Sequence, residues 1–267
     1  MAQGTPAKLT DISVLHEDED VIIVNKRYDV KVNGEIETEV TVSNQLAHLR
    51  PEIVDHSLPH YFRFCHRLDY ATSGVLCLGK HRKGAAKCQK AFERRLVKKY
   101  YLALVRGHVD NGKDNNMVIN ADIGQRSDIE SRTLMCPSTH PACVNSRSAL
   151  TNLIVLERGQ YDGDDATKVL LMPSTGRTHQ LRVHCQYINH IIVGDYAYSN
   201  RTDVSPYRMM LHAYRLVIPL RDRLLDVIAP DPLVPNVDRR WQPSEICDTF
   251  ENVMERISNE KTPDEER

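Results

Sequence analysis

The sequence predicts an α+β fold, and three observations lead to it. Short β-branched runs bounded by Gly, Pro, Asn or charged residues indicate strands. Amphipathic helical repeats lie between some of these runs, but they do not alternate with them as in a doubly wound parallel sheet. The 267 residues, of which 41% are hydrophobic and 27% charged, suit one large domain or two small ones.

Four runs have the composition of buried strands, in which β-branched and other apolar residues dominate. They lie at residues 21–24, 101–105, 150–156 and 168–172. Each run is short, and each is flanked by residues that favour turns. We therefore expect these four strands to form the centre of the sheet.

Three segments are predicted to be helical. Residues 83–96 place apolar side chains on one face, with Lys and Arg around the rest. Residues 178–188, after a Thr178 cap, place apolar side chains on one face and His179 and Arg182 on another. A short helix is expected within residues 243–257, after a proline-rich loop at residues 229–235. The polar end of the chain, residues 258–267, has too few apolar residues to pack.

The composition excludes several classes of protein. No apolar run approaches the roughly 18 residues of a membrane span, and the acidic first twenty residues lack the apolar core of a signal peptide. The seven cysteines include no C-x-x-C pair, so a disulfide framework is not expected. We predict reduced thiols in a cytosolic or nuclear protein that does not contact a membrane.

The densest cluster of reactive side chains is the segment 66–74 (HRLDYATSG). His66, Arg67 and Asp69 occur within four residues, and an apolar strand pattern follows at once. A carboxylate held in such a turn would be stabilised by a nearby guanidinium. The alternative is an Arg–Asp ion pair that only holds a loop in place.

A second cluster is the segment 174–184 (STGRTHQLRVH). Arg177, His179 and Arg182 crowd the start of the predicted helix, where the helix dipole already favours anions. A phosphate or a carboxylate would suit this position. The alternative is a solvated basic helix face.

Residues 80–106 form a basic stretch with ten Lys or Arg and one acidic residue. Such a local excess suits a polyanion, and the rings of Tyr100 and Tyr101 could stack on a base. An ordinary charged helix surface is the alternative. Cys136, His140 and Cys143 lie close together, but their spacing is not that of a zinc site, and we expect neither a metal nor a nucleotide cofactor.

Together these segments resemble a known family. The run HRLDxxTSG at 66–74 is similar to the first signature of the RluA-type RNA pseudouridine synthases, and GRTHQLRVH at 176–184 to the second. The Val193-Gly194-Asp195 run and the Lys99-x-Tyr101 strand also match in order and spacing. The closest resemblance is to the animal branch called RNA pseudouridine synthase domain-containing proteins. One departure is Arg27-Tyr28-Asp29-Val30, where the family usually has a Pro-x-Gly turn.

The resemblance implies a pseudouridine synthase fold, with a mixed, mostly antiparallel sheet, flanking helices and a central catalytic cleft. It implies an N-terminal segment at residues 1–11, a catalytic domain at 12–235, and a C-terminal helix and polar tail at 236–267. The reaction would convert uridine to pseudouridine in tRNA, rRNA or mRNA. We expect the protein to act as a monomer.

The resemblance also implies roles for single residues. Asp69 would act at the ribose, by attack on C1′ or by removal of a C2′ proton. Tyr101 would stack on the flipped uracil and help to deprotonate C5, and Arg182 would pair with Asp69 and aim it. Arg67 would fill the space that the flipped nucleotide leaves. The expected substrate-binding residues are His66, Arg67, Thr72, Arg177 and His179.

Two other functions fit parts of the pattern. A catalytically silent RNA-binding or RNA-chaperone protein could keep the same fold, although it would have no need of Asp69, Tyr101 and Arg182 together. A glycoside hydrolase would need a second carboxylate roughly 5–10 Å from the first. The matched motifs contain no such partner.

Overall fold

Most strands belong to one large sheet, as the β-branched runs predict. A computed structural model describes residues 4–34, 39–110, 116–129 and 134–259. The strands are β1 Ser13–Glu17, β2 Val21–Lys26, β3 Arg63–Phe64, β4 Ser73–Gly79, β5 Lys98–Arg106, β6 Asn116–Asn120, β7 Ile123–Arg126, β8 Met135–Pro137, β9 Cys143–Arg147, β10 Leu150–Tyr161, β11 Asp164–Pro173, β12 Leu211–Pro219, β13 Leu224–Ile228 and β14 Trp241–Ile246. The α-helices are α1 Val42–Leu49, α2 Arg82–Glu93, α3 Gln180–Tyr187 and α4 Phe250–Asn259, and a 3-10 turn spans Pro51–Ile53.

The large sheet has the path β1-β2-β4-β12-β5-β11-β10-β14. Three further strands attach to it, since β3 pairs with β4, β13 with β12 and β6 with β10. The strand pairs are antiparallel except β4 with β12, and a separate small sheet has the order β8-β7-β9. This arrangement confirms the predicted α+β fold with a mixed, mostly antiparallel sheet.

The longest hairpin joins β10 to β11 through a two-residue turn. Tyr161 and Asp164 face each other across it, and Asp162 and Gly163 between them have φ values of +54° and +86°. Two consecutive positive φ values define the type I′ turn, whose twist matches that of the strands. An Asp-Gly pair is therefore the sequence signal for this hairpin, and it sets the register of the strand that leads into α3.

The helices cover different parts of the sheet. Helix α2 packs its Ala85 and Cys88 against β4, and α3 packs Leu181 and Cys185 against the centre of the sheet. Helix α4 packs Val253 near the sheet's far end. Of the helices in the described residues, none is both long and apolar enough to cross a membrane.

Helices α2 and α3 are both shorter than predicted. Helix α2 ends at Glu93, and Arg95 takes a left-handed φ of +58°, which turns the chain toward β5. Helix α3 begins at Gln180, because the residue before it, His179, has a left-handed φ of +54°. His179 therefore occupies the cap position that we assigned to Thr178, and its side chain makes no capping hydrogen bond.

The prediction of helix within residues 243–257 was wrong for its first half. Residues Trp241–Ile246 form β14, which pairs with β10 at the edge of the sheet, and helix begins only at Phe250. Pro243 is tolerated because an edge strand leaves backbone donors unpaired on one side. Trp241 is fully buried opposite Tyr161, so burial of the indole favours the strand.

Candidate active site

A cleft of about 480 Å³ opens where the two motif segments meet. Segment 66–74 reaches it just before β4, and segment 174–184 crosses from β11 into α3 on the opposite wall. The structure brings together all of the residues that were expected to be catalytic or substrate-binding. The cleft is lined by His66, Arg67, Asp69, Thr72, Tyr101, Arg177, His179 and Arg182.

A buried lysine holds the turn that carries Asp69. The backbone N–H of Thr72 donates to the carbonyl of Asp69 at 3.1 Å, which closes the turn. Lys26 Nζ, which is fully buried, donates to the carbonyl of Tyr70 at 2.9 Å. Burial lowers the pKa of Lys26 to about 7. A buried ammonium is costly unless it is bonded, so this contact ties the turn firmly to β2.

Strand β12 fixes the other end of the turn. Gly74 has a φ of +111°, and a Cβ at this position would lie 2.1 Å from the carbonyl oxygen of Ala213. Only glycine permits so close an approach of two backbones. Ser73 Oγ lies 2.8 Å from His212 Nδ1 and accepts from Arg208 Nη2 at 2.5 Å. Asp69 is thus placed by contacts to a strand far away in sequence.

The carboxylate of Asp69 faces two basic side chains without a close contact to either. Its Oδ2 lies 3.8 Å from His179 Nε2 and 3.8 Å from Arg182 Nη1. Both distances exceed a normal hydrogen bond. The side chain is 26% exposed and lines the cleft. Asp69 is therefore an accessible carboxylate in a positive environment.

The Arg182 guanidinium makes its bidentate contact with a different carboxylate. Its Nε and Nη2 donate to Oδ2 and Oδ1 of Asp195, each at 2.7 Å. Its carbon Cζ also lies 4.7 Å from the ring centroid of Tyr198. Burial opposes the charge of Arg182, but the bonds to Asp195 outweigh it and raise the pKa of Arg182 above its usual value. The expected approach of Arg182 to Asp69 is present, but Asp195 holds the guanidinium.

Tyr101 forms part of the cleft wall from the middle of the sheet. It lies on β5, opposite Leu171 of β11 and Ala213 of β12. Burial, and then the negative charge of Asp69, raise the pKa of the Tyr101 phenol above its usual value. The phenol is therefore neutral at physiological pH and offers a flat, polarisable surface next to the carboxylate.

The sequence model of the family described as RNA pseudouridylate synthase matches residues 20–187, well over half of the chain. The matched span includes the turn of Asp69, the strand of Tyr101 and the helix of Arg182. The chain belongs to the RNA pseudouridylate synthase family. Enzymes of this family are isomerases that act on RNA.

Individual relatives agree with this assignment. The chain is 46% identical over 253 residues to RNA pseudouridylate synthase domain-containing protein 1 of Danio rerio. The matched region covers 94% of this chain and 85% of the relative. The chain is 31% identical over 225 residues to ribosomal large subunit pseudouridine synthase C of Vibrio cholerae, covering 81% of this chain and 65% of the relative. The solved structure of human RNA Pseudouridylate Synthase Domain Containing 1 matches with a TM-score of 0.85 at 37% identity, covering 98% of this chain and 100% of that chain.

In this member of the pseudouridylate synthase family, His66 has a packing role. Its Nε2 accepts the backbone N–H of Cys77 at 3.0 Å, and its ring stacks on Phe92 with centroids 4.8 Å apart. Burial, and then the positive charge of Lys99, lower the pKa of His66 to about 3. His66 is therefore neutral and fixed, whereas Arg67 beside it is exposed at the cleft.

The opposite wall is organised by a buried glutamine. Gln180 Oε1 accepts the Thr175 hydroxyl at 2.7 Å and the backbone N–H of Arg177 at 3.0 Å. Arg177 Nε donates to the carbonyl of Ser148 at 3.0 Å. His179 Nδ1 lies 3.0 Å from the Tyr198 hydroxyl, and burial lowers the pKa of His179 despite the nearby Asp69. Both basic side chains are thus oriented by the protein before a substrate arrives.

Two residues that line or support the cleft were quoted in the matched motifs but given no role. Lys99 Nζ donates to the carbonyl of Thr175 at 2.8 Å, and burial, then the charge of Arg95, lower the pKa of Lys99 to about 8. Asp195 has a side chain that is 0% exposed. The signals were present in the Lys99-x-Tyr101 and Val193-Gly194-Asp195 runs. Their contacts depend on packing across the sheet, which spacing does not reveal.

The basic stretch 80–106 divides into two groups in the structure. Lys87 on α2 contacts Asp20 at 2.7 Å and Asp222 at 3.4 Å, so its charge is already paired. Arg95 and Lys99, from the end of the stretch, line the cleft. Arg95 and Lys99 are therefore better placed than Lys87 to meet an anion in the cleft.

A second cavity of about 650 Å³ lies on the other side of the Asp69 turn. Asp69 lines the first cavity, whereas the next residue, Tyr70, lines the second, and Arg182 lines both. Tyr70 is 55% exposed and Tyr196, on the same lining, is 37% exposed. Aromatic rings at such positions are surfaces on which unstacked bases can lie.

Proposed function

We propose that this chain is an RNA pseudouridine synthase that isomerises uridine to pseudouridine through Asp69. The observation that supports this most directly is an accessible carboxylate beside the neutral ring of Tyr101, in a cleft walled by basic side chains. Membership of the pseudouridylate synthase family supports the reaction class. The cleft is concave, as a site for an extruded nucleotide must be.

Asp69 would act on the ribose of the target uridine. Its carboxylate either attacks C1′ or removes a C2′ proton, and in both cases the bond from C1′ to N1 of uracil breaks. The uracil leaves as an anion and turns. In the first route its C5 then displaces the Asp69 carboxylate from C1′, and in the second its C5 bonds to C1′ while the proton held by Asp69 returns to C2′. Finally C5 loses its proton and N1 gains one. A carboxylate next to an electrophilic anomeric carbon has the same chemical task in glycosidases.

Tyr101 and Arg182 would position the reactants. The neutral Tyr101 phenol is a poor base, so its proposed role is to stack on the uracil and keep it over the ribose. Arg182 would hold the charge of Asp69 in place, while Asp195 keeps the guanidinium from turning away. An arginine locked by two hydrogen bonds loses little freedom during the reaction.

The RNA chain would be held by the basic rim. Arg67, Arg95, Lys99 and Arg177 line the first cavity and offer charge to phosphates. Nucleotides next to the target uridine would enter the second cavity, where Tyr70 and Tyr196 can stack on their bases. Because the two cavities meet at Arg182, one bent strand can fill both.

The test is a comparison of pseudouridine maps from cells with the protein, without it, and with Asp69→Asn in its place. Sites made by this enzyme should disappear without the protein and return with the wild-type chain but not with Asp69→Asn. If Asp69→Asn restores them, the protein supports another enzyme as an RNA-binding module. If no site depends on the protein, the proposed activity is wrong.

A matched control is offered by Glu93, the other carboxylate that lines the cleft. Glu93 is exposed at the end of α2, and Glu93→Gln makes the same change from acid to amide as Asp69→Asn. We expect this variant to restore the sites. Equal loss in both variants would indicate a reaction that needs two carboxylates, as in glycoside hydrolases.

A further inference from the structure

Three cysteines meet in the core behind the cleft. Cys65 follows β3, Cys77 lies in β4 and Cys88 in α2, so three successive elements contribute one thiol each. Their sulfur atoms all lie within 4.8 Å of one another. The residues are 7%, 0% and 0% exposed, respectively. In the described part of the chain, this trio is the group of His, Cys, Asp and Glu side chains whose geometry suits a metal ion.

The local structure explains why the sulfurs converge. The backbone N–H of Cys65 donates to the carbonyl of Cys77 at 3.2 Å, so the two residues are neighbours across the β3–β4 pair. Helix α2 packs its buried face on β4, and Cys88 is fully buried on that face beside Ala85. A cysteine in a core often behaves as a small apolar side chain. Here, however, each sulfur also faces the other two.

The Arg223 guanidinium lies near the trio, since its charge acts on Cys88. Arg223 Nε is buried and has no hydrogen-bond partner among the described residues. Its Nη2 donates to Asp18 at 2.8 Å and to Asp20 at 3.1 Å. These carboxylates already pair with the guanidinium, so the convergence of the three sulfurs is the feature that points to a metal ion.

We propose that Cys65, Cys77 and Cys88 bind one thiophilic metal ion, either Cu(I) or Zn(II). Sulfur ligands lie about 2.3 Å from such an ion, so three of them in a plane would be about 4.0 Å apart. That separation lies within the observed limit of 4.8 Å. Thiolates are the ligands that select these metals over harder cations. Each thiol that ligates the ion gives up its proton to solvent.

A metal ion here would hold the base of the catalytic turn. Cys65 directly precedes His66, and the backbone N–H of Cys77 donates to His66 Nε2. Phe92, four residues after Cys88 on α2, stacks on the same imidazole. The ion would therefore join the two strands and the helix that position His66 and the three residues that follow it, up to Asp69.

The test begins with the full chain, purified under reducing conditions and stripped of metal. Zn(II) and, without oxygen, Cu(I) are each added in excess and removed by gel filtration, and the retained metal is counted by elemental mass spectrometry. We expect one ion per chain for at least one metal, and a higher melting temperature when it is bound. No retained metal with either ion would overturn the proposal.

Three variants locate the ion. Cys88→Ser should lose the metal, whereas Cys185→Ser should keep it, because Cys185 is equally buried but lies outside the trio. Cys136→Ser tests the cysteine pair of the small sheet and should also keep it. Retention by Cys88→Ser, or loss in Cys136→Ser, would show that the ion binds elsewhere and would contradict the assignment.

The unmutated chain provides a check that does not depend on folding of a variant. Co(II), added as a spectroscopic substitute for Zn(II), should produce thiolate-to-metal charge-transfer absorption, and bound metal should protect three thiols from alkylation. Mapping the protected peptides should identify those of Cys65, Cys77 and Cys88. Protection of other cysteines, or a disulfide within the trio in the freshly purified protein, would overturn the proposal.

Discussion

Two aspartates contact the Arg182 guanidinium, and they differ in almost every respect. Asp195 has a 0% exposed side chain and two hydrogen bonds of 2.7 Å to Arg182. Asp69 is 26% exposed and lies 3.8 Å from the same guanidinium. Asp195 follows a short isolated bridge near β5, whereas Asp69 is in a turn at the start of β4. One guanidinium thus bonds to a buried carboxylate and lies near an accessible one.

The difference suits a structural role for Asp195 and the proposed catalytic role for Asp69. A buried carboxylate whose two oxygens both accept hydrogen bonds is closed to a substrate, and the bidentate pair holds the arginine rigid. Asp69 lies near a positive charge without a short bond to it, so its oxygens are open to a substrate atom. The unused hydrogen-bonding capacity of Asp69, rather than the strength of its ion pair, is what supports its proposed role in catalysis.

The largest effect is expected from Asp69→Asn. Turnover should fall on the order of 10⁴-fold or more, as when the nucleophile of a covalent catalyst is removed. The free energy of unfolding should change by less than about 1 kcal/mol, because no short bond to Asp69 is lost. Tritium release from C5-labelled RNA and chemical denaturation measure the two quantities. Comparable turnover in the variant would refute the proposed role of Asp69.

Asp195→Asn, in contrast, should lower the free energy of unfolding strongly. It leaves the charge of Arg182, whose side chain is 11% exposed, without its bidentate partner. Removing one partner of a buried ion pair costs about 3–5 kcal/mol of stability. Urea denaturation should show a lower midpoint with an unchanged slope. If Asp195→Asn were as stable as the wild type, the two carboxylates would not differ in the way described.

Arg182→Lys tests whether the shape of the guanidinium matters beyond its charge. Lysine keeps the charge but cannot bond both Asp195 oxygens in one plane, so Asp69 loses a fixed neighbour. Turnover at saturating RNA should fall by roughly 10²-fold, because small misplacements of a reacting group have effects of this size. RNA affinity should change little.

Arg177→Lys is the matched control for Arg182→Lys, since it makes the same exchange on the same wall of the cleft. It should alter affinity and leave the saturated rate near that of the wild type. Single-turnover rates and binding measured over a salt series separate the two effects. If Arg182→Lys lost affinity alone, Arg182 would be a phosphate contact and not a neighbour that positions Asp69.

The smallest effect is a pH dependence of RNA binding that comes from Lys99. The pKa of Lys99 is lowered to about 8 from 10.5, so its charge is lost as pH rises through 8. Affinity at low salt should fall between pH 7 and pH 9, by roughly tenfold at most for one phosphate contact. Lys99→Arg should bind equally at both pH values. The folded state favours the neutral amine, so the same group adds stability as pH rises above 8.

The sequence predicted which residues line the cleft better than it predicted the contacts between side chains. Asp69, Tyr101 and Arg182 stand in motifs whose order and spacing mark the family, and all three line the cleft. The contact of Arg182 with Asp195 joins two residues that are thirteen positions apart. No periodicity links them, because the chain leaves α3 and turns back toward β5 in between. Such pairs depend on packing, which a single sequence does not specify.

The secondary structure was predicted correctly where the local sequence alone determines it. The strands around residues 101–105 and 150–156 were expected from β-branched composition, and β5 and β10 contain them. At residues 241–246 the local signal failed, because burial of Trp241 against β10 outweighs the tendency of the segment to start a helix. His179 shows the same limit, since its left-handed conformation is stabilised by tertiary contacts.

The one parallel strand pair in the described sheet has a consequence for how the molecule assembles. Ser73 and His212, which face each other across β4 and β12, are 139 residues apart in the chain. Contacts of such sequence separation close late, because a long loop must lose its freedom first. During synthesis, the turn of Asp69 leaves the ribosome long before β12 does. The nascent chain therefore exposes the segment 66–74 before the cleft has formed. We expect it to bind RNA in the cleft only after β12 has docked on β4.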